Sequence, residues 1–80
     1  MTEKVVFKQL NQIFREVLDD PDIHLRRETT AADIEDWDSL EHIRLMAAVE
    51  EAFSVRLSMK EVSSMQNVGE LADILLARAR

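Results

Sequence analysis

The chain has 80 residues, 16 acidic and 10 basic, for a formal net charge of −6, with no cysteine or tyrosine, one glycine and one proline. That length allows one modest core and little room for a walled catalytic cavity, and without cysteine neither disulfides nor thiolate metal sites can support it. The negative balance disfavours nucleic acid and anionic membranes and favours basic protein partners, while the scarcity of glycine, proline and β-branched runs points to helices joined by polar linkers.

Val6, Leu10, Ile13, Phe14, Val17 and Leu18 recur at spacings of three and four and predict an amphipathic helix from about Glu3 to Leu18, ended by Asp19-Asp20-Pro21-Asp22. From there to Asp38 the period is lost. Ile23 and Leu25 are isolated apolar anchors in a long connection rich in charge and threonine, and Thr30 with Asp33 predicts one short turn leading to Ile34.

The second helix has the clearer start. Asp38 is a good N-cap, Glu41 three residues later completes a capping-box pattern, and Ser39 becomes the first helical residue. Leu40, Ile43, Leu45, Met46, Val49, Ala52 and Phe53 then cover most of the circumference, leaving Glu41, Arg44, Ala48 and Glu51 as a polar stripe. So broad an apolar surface predicts the central helix, touched by several others. Ser58 with Glu61 opens a short helix holding Val62 and Met65, and Asn67 with Glu70 opens a last one holding Leu71, Ile74 and Leu75.

The predicted architecture is therefore all-α: a four-helix bundle of three longer helices and one short helix, forming a single domain over residues 1–80. The N-terminal segment mixes charged residues among its apolar ones, and the longest apolar run is only Leu45 to Val49, so neither a signal peptide nor a membrane span is expected. A cytoplasmic monomer is the expectation.

Few residues suggest chemistry. Ser39 and His42 are three apart on a helix with Asp38 nearby, but no glycine-rich turn exposes a nucleophile or builds an oxyanion hole, which argues against a hydrolase. His42 has Leu45, Met46 and Val49 at its i+3, i+4 and i+7 positions and is expected at the edge of the core. His24 has no histidine or cysteine at metal-ligand spacing, and the acidic run from Asp33 to Asp38 lacks the glycine and closing glutamate of a calcium loop. Trp37, the only tryptophan, is expected to plug one end of the bundle. Ser39 at the first helical position sits beside unpaired backbone N–H groups and the positive end of the macrodipole, a place that favours negative charge.

The segment Asp33-Ile34-Glu35-Asp36-Trp37-Asp38-Ser39-Leu40 resembles the attachment site of acyl carrier proteins, in which the serine of an Asp-Ser-Leu triplet begins the second helix. Glu50-Glu51-Ala52-Phe53 is similar to the family's Glu-Glu-x-Phe, and Val68 and Leu71 match the opening of its last helix. The Trp-Asp-Ser-Leu version resembles that of specialised free-standing carriers. The resemblance implies that a phosphopantetheinyl transferase, using Mg²⁺, moves 4'-phosphopantetheine from coenzyme A onto Ser39, and that Asp38 faces the transferase as well as capping the helix. It implies a non-catalytic carrier that holds an acyl or related group as a thioester on that arm.

By the same resemblance, Glu35, Asp36, Leu40, Glu41, Arg44, Glu50 and Glu51 form a docking surface for acyl-loading and acyl-using enzymes with basic patches. Arg44 stands where carriers of general fatty-acid synthesis are often acidic, and Ala47 and Ala48 replace larger residues, which points to a dedicated pathway. The competing expectation is a small acidic helical adaptor that binds a basic partner and needs no prosthetic group.

Overall fold

A computed structural model describes residues 1–78 of the chain. Helix α1 spans Glu3–Val17 and begins where Thr2 Oγ1 accepts the Val5 N–H at 3.3 Å. Val6, Leu10 and Phe14, one turn apart, are fully buried, and Leu18 continues their line just past the helix end. Asp19 adopts a left-handed φ of 52°, and the N–H groups of Asp19 and Asp20 return to the carbonyls of Glu16 and Arg15. That paired return is the usual glycine-ended helix stop, here made without glycine.

Helix α2 (Ser39–Phe53), the short α3 (Met59–Ser64) and α4 (Val68–Arg78) complete the four-helix bundle, with a single 3₁₀ turn at Ala31–Asp33 in the first connection. Thr30 and Asp33 close that turn as a reciprocal capping box, as their spacing predicts. Ser58 and Glu61 do the same for α3, and Asn67 Oδ1 receives the Glu70 N–H at the start of α4. Like α1, α2 closes on a left-handed residue other than glycine, Ser54 with φ 54°.

Two expectations are corrected here. α1, rather than α2, is the shared element, packing against both α2 and α4. On α2 only Leu45, Met46, Val49 and Phe53 enter the core, whereas Leu40 and Ile43 are 67% and 62% exposed and Ala52 also faces outward. At 100° per residue the four buried positions share one side of the helix, and Leu40 and Ile43 fall away from it.

The long connection is fastened at both ends. Ile23 and Leu25 are buried in the core, Arg15 Nε donates to the Ile23 carbonyl at 2.7 Å, and Asn11 Oδ1 accepts the Leu25 N–H at 2.7 Å. Further along, the carbonyls of Thr29 and Arg27 accept the Val68 and Gly69 N–H groups at 2.9 and 2.8 Å, so the loop's own backbone caps α4. The Arg27 guanidinium bridges Glu3 of α1 and Asp73 of α4. These carboxylates hold it more firmly protonated than an ordinary arginine, through the Asp73 hydrogen bonds first and Glu3 second. Among the described residues no helix is long and apolar enough to cross a membrane.

Candidate functional site

The end of the bundle where the first connection meets α2 and α3 brings together Trp37, Asp38, Ser39 and His42. Trp37 is buried, with its ring edge-on to Phe14 of α1 at 5.0 Å between centroids, and so plugs the bundle as expected. Its indole N–H donates to His42 Nδ1 at 3.0 Å, and the two rings lie nearly parallel at 5.8 Å. His42 Nε2 meets the Val62 carbonyl of α3 at 2.9 Å. The half-buried histidine thus links the connection, α2 and α3, and is far more tied down than an ordinary residue at a core edge.

Trp37 anchored in this way fixes where α2 begins. Asp38 follows in extended conformation, its Oδ1 accepting the Glu41 N–H at 2.8 Å and its carbonyl accepting the His42 N–H at 2.8 Å. The reciprocal half of the expected capping box is absent, because Glu41 Oε1 pairs with Arg44 at 3.0 Å instead of folding back. Ser39 is therefore the first helical residue, exposed, with the N–H groups of the first turn and the positive end of the helix beside it.

An open cavity of about 390 Å³ lies next to Ser39, between the start of α2 and the wall made by α3 and the loop that follows it. Ser39, Asp38, Trp37 and His42 line one side, and Val62, Ser63, Met65, Gln66 and Asn67 the other. No acid, base and nucleophile converge here: His42 Nδ1 is occupied by Trp37 and Nε2 by Val62, so neither nitrogen is free to activate the Ser39 hydroxyl. What the arrangement offers is an exposed hydroxyl, an adjacent carboxylate and an open trough. Those features suit a serine that is modified by another enzyme and a long, slender group that can lie along the protein.

The expected docking residues are dispersed. Glu35 and Asp36 are exposed in the turn before Trp37, and Leu40, Arg44 and Glu51 are exposed on α2. Glu41 is half-buried in its pair with Arg44, and Glu50 Oε2 is engaged by the Leu57 N–H at 2.8 Å, so both also serve the fold. Leu40 and Ile43 lie open beside Ser39, and Met59 at the start of α3 is 81% exposed. Ile43 is a surface residue the sequence pattern did not separate from the core, and Met59 is one it did not single out. The signal was present for Ile43, which shares the outer side of α2 with Leu40, Arg44, Ala47 and Glu51 when the wheel is centred on Leu45 to Phe53.

Residues 8–75 match the family model described as the phosphopantetheine attachment site. The chain belongs to this family. It is 29% identical over 75 residues to the acyl carrier protein of Acidothermus cellulolyticus, an overlap of 94% of this chain and 89% of the relative. Its fold matches the solution structure of a holo acyl carrier protein from Geobacter metallireducens with a TM-score of 0.84 and 42% identity, over 91% of this chain and 87% of that one. As an acyl carrier protein family member the chain is a non-catalytic carrier with a 4'-phosphopantetheine prosthetic group. That group supplies a terminal thiol on which an acyl intermediate is held as a thioester, which is how a chain without cysteine takes part in thiol chemistry.

Proposed function

We propose that Ser39 is the residue that receives 4'-phosphopantetheine and that the carrier presents its acyl cargo from the α2 and α3 end of the bundle. The observation that carries this reading is the exposed Ser39 hydroxyl at the first position of α2, placed by the Asp38 cap and opening onto the cavity alongside. The helix end favours the phosphodiester electrostatically, and the exposed position lets it be added without disturbing the core. Asp38 has a second role toward the transferase, since it is exposed beside Ser39 and its cap uses only Oδ1.

On this reading residues 1–80 act as one carrier domain, monomeric and cytoplasmic, serving a dedicated pathway. Its partners are a phosphopantetheinyl transferase and enzymes that load and use the acyl group. The carboxylates of Glu35, Asp36, Asp38 and Glu51 steer basic surfaces toward the arm, with Leu40 and Arg44 in the contact and Glu41 and Glu50 contributing charge from their half-buried positions. Labelling with a fluorescent coenzyme A analogue and a broad-specificity transferase tests the assignment. Wild type should take the label and Ser39→Ala should not, and equal labelling of both would move the attachment elsewhere.

A further inference from the structure

The cavity beside Ser39 is walled on one side by the shortest helix, and the contact that ties this wall to α2 passes through His42. α3 has six residues and contributes no fully buried side chain. Val62 and Met65 are only half-buried, so packing alone holds this helix weakly. Against that background, a hydrogen bond from His42 to the Val62 carbonyl at 2.9 Å has unusual weight, because it grips α3 at the cavity's edge.

The geometry points to a gate: His42, held in one tautomer by Trp37, keeps α3 closed on α2, and release of this relay opens the α3 wall of the cavity beside Ser39. The tautomer follows from the donors. The Trp37 indole nitrogen can only donate, so His42 Nδ1 must accept and be unprotonated. The remaining proton is then on Nε2 and is donated to the Val62 carbonyl, which can only accept. Trp37 is in turn fixed by the fully buried Phe14 of α1, so the gate hangs from the helix that packs against both α2 and α4. His42 is a positioning residue here, since its two ring nitrogens are engaged by Trp37 and the Val62 carbonyl and not by Ser39.

The charges around the ring are few. Asp38 is the charged residue lining the cavity, with Oδ1 on the Glu41 N–H, and the lining residues from α3 and the next loop are neutral. Glu41 on the same helix is paired with Arg44, Glu61 next to Val62 is paired with Arg78, and Trp37 and Phe14 bring no charge. The gate's bearing on loading rests on Ser39 being the attachment residue; its existence does not.

The test compares wild type with His42→Phe, which keeps a ring against Trp37 and removes both hydrogen bonds, and His42→Gln, whose carboxamide can accept from Trp37 and donate to Val62 without titrating. Amide hydrogen exchange and nitrogen-15 imidazole shifts are read on the unmodified protein. Wild-type His42 should show a bare Nδ1 and a protonated Nε2. His42→Phe should lower protection of the α3 amides on the order of five- to tenfold, the weight of one lost hydrogen bond, while α1 and α4 keep theirs. His42→Gln should restore most of the α3 protection. Unchanged α3 protection in His42→Phe, an equal loss in all helices, or the opposite tautomer would overturn the gate. Transfer of phosphopantetheine to Ser39 is scored separately: if no transfer occurs while the exchange results hold, the attachment assignment fails and the gate stands.

Discussion

Gly69→Ala should destabilise the protein although alanine is the better helix former. Gly69 is the second residue of α4, and a Cβ built on it would lie 2.9 Å from the Arg27 carbonyl oxygen, 3.2 Å from Arg27 Cβ and 3.2 Å from Asn67 Oδ1. The nearest of these atoms is backbone, and it is the acceptor of the Gly69 N–H at 2.8 Å, so it cannot rotate away as a side-chain tip would. Relief requires the segment from Arg27 to Thr29 to retreat, which stretches the Gly69 bond to Arg27 and the Val68 bond to Thr29 together and pulls the Arg27 guanidinium from Asp73. Overpacking of this kind costs about 1–3 kcal/mol. The gain in helix propensity returns at most about 1 kcal/mol, less near a helix start. The net expectation is a loss of about 1–2 kcal/mol, a fall in Tm of roughly 4–16 °C for a domain of this size. Urea and thermal unfolding followed by circular dichroism measure it. The sign decides: a Gly69→Ala variant as stable as wild type, or more stable, would refute the close docking of the loop on α4.

Asp38→Ala should cost about 1 kcal/mol through the lost α2 cap, whereas Ser39→Ala should cost less than that because Asp38 still caps the helix; chemical denaturation separates the two. Arg78 pairs with Glu61 and donates to the Arg56 carbonyl, and mainly through the Arg78 hydrogen bonds the Glu61 carboxyl falls from the usual 4.5 to about 2. A depressed carboxylate stabilises the fold above its unfolded pKa and loses that contribution as pH falls through its folded one, so Arg78→Ala should flatten the acid dependence of stability between about 4.5 and about 2. Arg78 is exposed and Glu61 half-buried, so added salt should partly shrink the difference between the two proteins. Glu51→Lys should slow transfer of the arm or of cargo at low salt with unchanged unfolding behaviour; equal rates for both proteins would place the docking surface elsewhere.

Helix order, the long first connection and every helix start were legible in the sequence because each depends on local chemistry: Asp38, Ser58 and Asn67 cap the helices that follow them, and Thr30 with Asp33 makes the turn. The position of Ser39 as the first residue of α2 was legible for the same reason, since Asp38 sets the cap. Which face of α2 is buried was less legible. That helix is apolar on more sides than it buries, so periodicity could not separate Leu40 and Ile43, which are exposed, from Leu45 and Met46, which are not. The relay from Trp37 through His42 to Val62 joins residues five and twenty positions apart, and the capping of α4 by Thr29 and Arg27 spans about forty. Such contacts depend on how the connection folds back, for which no local pattern exists. The first helix stops where the sequence placed its end, before Asp19-Asp20-Pro21-Asp22, but the left-handed turns at Asp19 and Ser54 carried no signal, because neither residue is glycine while Gly69, the chain's one glycine, serves close packing.

The most direct test of the account is the intact mass of the wild-type protein after incubation with coenzyme A, Mg²⁺ and a phosphopantetheinyl transferase, followed by fragmentation of the product. One phosphopantetheine should be added, the fragments should place it on Ser39, and the product should carry a titratable thiol where the unmodified chain has no cysteine. A chain that stays at its unmodified mass with several such transferases, or one modified at Ser54, Ser58, Ser63 or Ser64 instead, would contradict it.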